Sequence, residues 1–411
     1  MGQDREILRG LAFRYMEAAC APSHDEKRAL YRAVNDLRQI RPVVLINEIP
    51  WNELNDHPEL ALQCQDPDFR AAEEFFRQQL FQWKYFPADM VLDPIYGVEK
   101  IIRTTGFGLT VQESTLGDKE YAHSHSYQNQ LESEEVLEKL HPETITYFKE
   151  ETFALYHKIA GAIGDVLPVK IVGASTGYGL GCRTWDIVTE LMGPENLFYA
   201  LADEPEFMHR LAAKFTDIFL DKIRQYEELD LFEPNQTLIH STAALNSTTP
   251  GECPEGRVTA RQMWGRGLAQ IFASVSKEMR DEFDITYMQR AMEPFGLVYY
   301  GCCEPLHNMI DILEKIPRLR KISITPWADV DAAADAIGGR YVLASKPNPA
   351  FALDAANNIE PARRELERIL NAVKRNGCSC DIVLKDISSI GGSLQNLMAW
   401  EQMAMSLVEN W

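Results

Sequence analysis

The stretch Gly296-Leu297-Val298-Tyr299-Tyr300-Gly301-Cys302-Cys303-Glu304 reads as a short apolar strand that ends in two thiols and a carboxylate, with His307 three residues further on. An unbroken apolar run of this length is how a strand buried on both faces of a parallel sheet is written. Adjacent cysteines cannot both face a core. Followed at once by Glu304, they point to thiolate chemistry or a zinc site. The plainer alternative has one Cys packed inward, the other incidental, and Glu304 opening a helix.

Working outward, the same unit recurs along the chain. Short apolar runs stand at Val43-Ile46, Asp89-Leu92, Val169-Val172, Thr237-His240, Leu297-Tyr300, Lys321-Ile324, Tyr341-Ala344 and Asp381-Leu384. Segments with helical spacing lie between them, among them Pro205-Glu228 and Pro361-Lys374. Eight strand candidates alternating with helices predict an α/β fold of the (β/α)8 TIM-barrel type. An open doubly wound sheet competes, but no glycine-rich phosphate loop follows the first run. Two helices are expected in the leading segment, so residues 1–40 read as an N-terminal helical extension and residues 41–411 as the barrel. The insertion from Thr104 to His157 predicts a hairpin and a helix near the mouth.

Composition narrows the function. A chain of 411 residues, 45% of them hydrophobic, can bury a large core. No apolar run reaches the roughly 18 residues of a membrane span, and the charged start lacks a signal segment. A formal charge of -20 opposes nucleic acid and anionic membranes. Eight scattered cysteines fit reduced thiols in a cytoplasm. The expectation is a cytoplasmic enzyme that binds neither nucleic acid nor membrane.

In a barrel the active site lies at the carboxyl ends of the strands. Those ends carry Asn47 and Glu48, Asp93, His240, Cys302-Cys303-Glu304, Thr325 with Trp327 and Asp329, Ser345-Lys346, and Lys385-Asp386. His240, Cys302, Cys303 and Glu304 are the expected metal ligands. Glu48, Asp93 and Lys385 are candidates for acid, base or substrate anchor. Asn47, Trp51, Tyr300, Trp327 and Lys346 are expected to contact substrate. His123 and His125 share a strand face and could reach substrate from a lid, although two exposed loop histidines are the plainer reading. Trp51, Trp185, Tyr299 and Trp327 could line an aromatic pocket or be ordinary core.

Several segments resemble the uroporphyrinogen decarboxylase superfamily. Arg41-Pro42-Val43-Val44 resembles its first strand, Ala88-Asp93 its second, and Gly193-Asn196 through Asp203-His209 its helix-turn-helix. Pro326-Asp329, Lys346-Pro349 and Leu384-Ile387 are similar to a decarboxylase-like subgroup of anaerobic bacteria. The decarboxylases themselves grip a polycarboxylate with an arginine-rich motif after the first strand. Here Ile46-Asn47-Glu48-Ile49-Pro50-Trp51 stands in its place, and a carboxylate there repels such a substrate. The other branch holds methyltransferases, often with zinc on a His-x-Cys pair, and Gly301-Cys302-Cys303 replaces that pair. The resemblance therefore implies a zinc-dependent methyltransferase moving a methyl group from a small methylated, for example methoxylated, donor to a corrinoid. No Asp-x-His-x-x-Gly corrinoid motif is present, so the corrinoid would come on a partner protein. A homodimer is also implied. A carboxy-lyase acting on a small carboxylic acid and a non-catalytic small-molecule-binding barrel are the alternatives.

Overall fold

A computed structural model describes residues 2–116, 124–175, 180–234, 236–249 and 256–411. Its centre is a six-stranded parallel sheet ordered Val43–Ile46, Ser379–Leu384, Val342–Ser345, Leu319–Ile324, Leu297–Tyr300 and Trp264–Gly267. Each pair is parallel and in continuous register except for one bulge between strands 297–300 and 319–324. The strands are buried along their whole length apart from Arg320, as expected for a parallel sheet covered on both faces.

Alternation along each strand divides the core in two. One set of side chains, including Val44, Ile46, Val298, Tyr300, Ile322 and Leu343, packs against the helices in the largest apolar cluster. The opposite set, Val43, Leu45, Trp264, Leu297, Tyr299 and Ala344 among it, packs against a small hairpin at residues 238–243. Covering helices include Val330–Ile337, Glu360–Asn376 and Leu394–Glu409. Helix 360–376 ends at Gly377 in the left-handed region (φ +63°), a glycine stop. Asp329, read in the sequence as a strand-end group, caps helix 330–337 by accepting the backbone N–H groups of Asp331 and Ala332.

The remaining strands differ from expectation. Val169–Val172 pairs in parallel with Tyr96–Glu99, outside the main sheet. Asp89 to Leu92 forms no ladder: the Asp89 N–H bonds to the Val44 carbonyl at 3.0 Å. The Asp89 carboxylate accepts the Val44 N–H at 2.9 Å and two bonds from Arg41 at 2.8 and 2.7 Å. The expected barrel strand Thr237-His240 is one arm of the antiparallel hairpin Leu238–Ile239 with Thr242–Ala243. Conversely, Trp264–Gly267 is a sheet strand with no β-branched residue. Two isolated parallel bridges, Ala174 to Phe232 and Cys182 to Gly267, lie beyond these ladders. Among the described residues, hydrogen bonding joins six strands and does not close them into a ring.

Helices Gly2–Ala19 and Ser23–Asn35 form the leading segment. The 104–157 region holds the antiparallel hairpin Glu113–Leu116 with Ser124–Tyr127, and helix Lys149–Ile163 begins there. Among the described residues no helix is long and apolar enough to cross a membrane.

Candidate active site

Glycine makes the first turn of the site. Strand 297–300 ends at Gly301 with φ +104°, a conformation that side chains disfavour. A Cβ there would lie 2.6 Å from Leu306 Cδ1 and 2.9 Å from Ser323 Cβ. The turn buries Cys302 and leaves Cys303 exposed.

The hairpin delivers the second group. His240 and Ser241 are its two-residue turn, and both have positive φ, +42° and +67°. Two-residue hairpins of the I′ type need positive φ at both positions and normally use Asn-Gly. Placing His and Ser there stores roughly 1–3 kcal/mol per residue, held by bonds from elsewhere. Asn47 Nδ2 donates to the Ser241 carbonyl at 2.9 Å, and Ser241 Oγ donates to Glu48 at 3.0 Å. Glu48 and Asp386 also have positive φ, +54° each. Strained backbone is thus gathered at the strand ends.

His240 Nε2 lies 3.3 Å from Cys302 Sγ and 3.2 Å from Arg266 Nη2. A guanidinium only donates, so Nε2 accepts and the imidazole is neutral. Burial, with Lys346, Arg266 and Lys385 nearby, pushes the His240 pKa far below its ordinary range. Cys303 Sγ is 3.6 Å from Cys302 Sγ. A hydrogen bond from Cys303 lowers the Cys302 thiol to about 7 against the effect of burial, with Lys346, Lys385 and Arg266 adding attraction. The same contact and burial push Cys303 upward.

Two lysines complete the centre. Lys346 Nζ donates to the Cys302 carbonyl at 2.9 Å, which also accepts from Ser323 Oγ at 2.8 Å. Burial, then Lys385, lowers Lys346 to about 8. Lys385 lies 3.3 Å from Glu48 and 3.1 Å from Asp386. Burial works against its charge, but those carboxylates raise it above the ordinary lysine range.

The other expected residues scatter. Tyr300 points to the helix side of the sheet, where its hydroxyl donates to Asp284 and lies 3.3 Å from Arg280. Its neighbour Tyr299 faces the site instead, with its ring 5.7 Å from that of His240. Asp93 is paired with Arg28 at 2.8 Å and accepts from Thr237 at 3.2 Å. Trp51 packs edge-on against Phe81, and Trp185 stacks on Phe272 in the core. Trp327 is 70% exposed. His125 is bonded to Glu113 at 2.9 Å on the outlying hairpin, while His123 falls outside the described residues. Arg266 and Ser241 were not anticipated. The only signal for Arg266 was a charge between two glycines.

Zinc can be tested on the donor set. Ligands sharing one tetrahedral zinc stand ~3.5–3.8 Å apart, given Zn–S and Zn–N lengths of about 2.3 and 2.0–2.1 Å. The Cys302–His240 and Cys302–Cys303 pairs, at 3.3 and 3.6 Å, approach this. Glu304 does not join them: it accepts the backbone N–H groups of Cys302 and Ala269 at 2.9 and 3.3 Å and faces Arg280 at 3.9 Å. Arg266 donates to the His240 nitrogen that a metal would need, and three cations already bear on the thiol. Among the described residues no three His, Cys, Asp or Glu side chains form a metal-holding group. The residues present do not fit zinc.

No family model matches the chain, and no curated protein does. Among solved structures, a methyltransferase from Methanosarcina mazei is similar at 14% identity and a TM-score of 0.48, over 92% of this chain and 98% of that one. The functional reading therefore rests on the side chains.

Proposed function

We propose that this chain is a methyltransferase that cleaves a small methyl ether, with the Cys302 thiol as the acid that protonates the departing oxygen. The observation that carries this is the setting of Cys302, beside a neutral His240 and against the Cys303 thiol at 3.6 Å, under three cations. The methyl group is the part contributed by the sequence resemblance. A methyl ether is inert because its oxygen leaves poorly as an anion. In the step, an external nucleophile bonds to the methyl carbon and the C–O bond breaks with its electron pair on oxygen. The Cys302 proton moves to that oxygen. The thiolate left behind is held by the Cys303 S–H and by Lys346, Lys385 and Arg266. His240, whose Nε2 accepts from Arg266 at 3.2 Å, lies 3.3 Å from the thiol and does not take its proton.

An acid with a pKa near the working pH is suited to this transfer. A reduced corrinoid on a partner protein would supply the nucleophile, meeting the site at the strand ends. The finer architecture in this reading is a closed eight-strand barrel over residues 41–411.

The test uses cob(I)alamin as acceptor and methoxybenzoates as donors, with methylcobalamin formation followed by absorbance. Cys302→Ser is expected to lose ~10²–10⁴-fold in rate. An acid must hold its proton, so wild-type kcat/KM falls as pH rises through about 7. Turnover undiminished in Cys302→Ser, or rising with pH, would sink the reading. Iodoacetamide gives a check that needs no substrate: alkylation of Cys302 should reach half its maximal rate near pH 7, not at about 8.5 as for an ordinary thiol.

A further inference from the structure

We infer that Lys346 and Thr325 form an anion subsite beside Cys302, so that the substrate carries a carboxylate or an equivalent monoanion. The inference rests on Cys302 as the reactive centre but not on the identity of the transferred group.

Lys346 is 4% exposed, yet among the described residues no carboxylate lies within ion-pair distance of it. Among the described residues its ammonium makes one hydrogen bond, to the Cys302 carbonyl at 2.9 Å, which leaves two protons to direct elsewhere. Lys385, the other lysine of the site, is differently served, with Glu48 and Asp386 at 3.3 and 3.1 Å. A buried charge is retained only where something offsets its lost hydration. When Cys302 is a thiol, Glu304 attracts Lys346 but is already engaged by two backbone N–H groups and faces Arg280.

The second observation is independent. Thr325 is 4% exposed, and among the described residues its hydroxyl has no hydrogen-bond partner. Ile324 pairs with Ser345, and the Lys346 N–H bonds to the Ile324 carbonyl at 2.8 Å. Thr325 and Lys346 are therefore the next neighbours along that ladder and share a face. An ammonium and a hydroxyl side by side, both buried and under-used, offer one carboxylate a charge-assisted bond and a second donor. Lys346 Nζ also lies 6.0 Å from the centre of the Tyr299 ring. That aromatic floor excludes water without competing for the anion.

Two alkylating probes of the same size read this directly. Iodoacetate carries a carboxylate, iodoacetamide is neutral, and both need the same thiolate. The ratio of their rate constants at Cys302, located by peptide fragmentation in the full chain, is thus independent of thiol ionisation. Relative to the same ratio for free cysteine, it is expected to be at least roughly tenfold higher, as for a cleft that concentrates anions. Lys346→Met should return it to the free-cysteine value, and Thr325→Val should lower it several-fold. The Thr325 variant keeps the test open should Lys346→Met fail to fold. Sulfate should slow iodoacetate more than iodoacetamide. A wild-type ratio equal to that of free cysteine would overturn the subsite, as would a ratio unchanged in the folded variants. If iodoacetamide still reported a pKa near 7, the acid role of Cys302 would survive that failure.

Discussion

Tyr299 and Tyr300 are adjacent, chemically identical and equally buried, yet they belong to different parts of the molecule. Tyr299 faces His240, while Tyr300 serves the buried pair Asp284 and Arg280. Removing each hydroxyl should therefore have different consequences. Tyr300→Phe deprives Asp284 of a donor, at a cost of ~1–3 kcal/mol, and leaves Cys302 alkylation within about twofold of wild type. Burial raises the Asp284 pKa to about 6. A carboxyl raised in this way is neutral in the fold below that value and must bear a buried charge above it. The deficit of Tyr300→Phe should thus be greatest above pH 6 and shrink as pH falls through it. Urea melts at two pH values check this. A loss of Cys302 reactivity in a stably folded Tyr300→Phe would return Tyr300 to the site, where its place at a strand end had first put it.

At the scale of elements, the strand ends are shaped by backbone as much as by side chains. Gly301 combines a φ of +104° with contacts that leave no room for a Cβ. Gly301→Ala should destabilise the fold by ~1–3 kcal/mol through strain and overpacking. It should also slow Cys302 alkylation, because the next residue is displaced. Unchanged stability, measured in urea, would mean the turn relaxes freely.

Glycine also hid one strand from the sequence. In Trp264–Gly267 a Cβ on Gly265 would meet Phe295 at 2.7 Å, and one on Gly267 would meet Met288 at 2.4 Å. Close helix packing demands glycine there, and glycine removes the β-branched pattern by which strands are read. Arg266 went unseen for that reason. The run Thr237-His240 misled in the opposite way: its extended, apolar character was legible, but an antiparallel hairpin and a parallel barrel strand are written alike over four residues. The long helices were clearer, and Pro205–Glu228 forms over the residues its spacing indicated.

For the whole molecule, the decisive contact joins three distant segments. Lys321 and Asp381, both fully buried, pair at 2.5 Å, and Lys321 also donates to the Ala243 carbonyl at 2.6 Å. The Ala243 N–H bonds to Asp381 in turn at 3.3 Å. This network seats the His240 hairpin on the sheet, and so carries the site's second half. Asp381→Ala leaves Lys321 buried and alone, and should cost ~3–5 kcal/mol. The double replacement Lys321→Met with Asp381→Leu should cost much less. Chemical denaturation of the three proteins decides it, and equal losses in single and double variants would show that the charge pair is not what matters.

What the sequence determined by itself was local and repetitive. Short apolar runs between amphipathic segments meant an α/β protein with a parallel sheet. The abrupt change from Tyr300 to Cys302 marked a strand end and raised the expectation of chemistry there. Both follow from rules acting over a few residues: burial on two faces, and the scarcity of paired thiols where only packing is needed. Tertiary structure alone decided which groups meet. It brought His240 to Cys302 through a strained hairpin turn, added Arg266 from a glycine-built strand, and turned Glu304 aside onto backbone N–H groups. Those outcomes depend on residues 26 to 62 positions apart meeting at 3.2 to 3.3 Å. Neither composition nor periodicity encodes such distances, because the free energy that sets them belongs to packing between elements and not to any one of them.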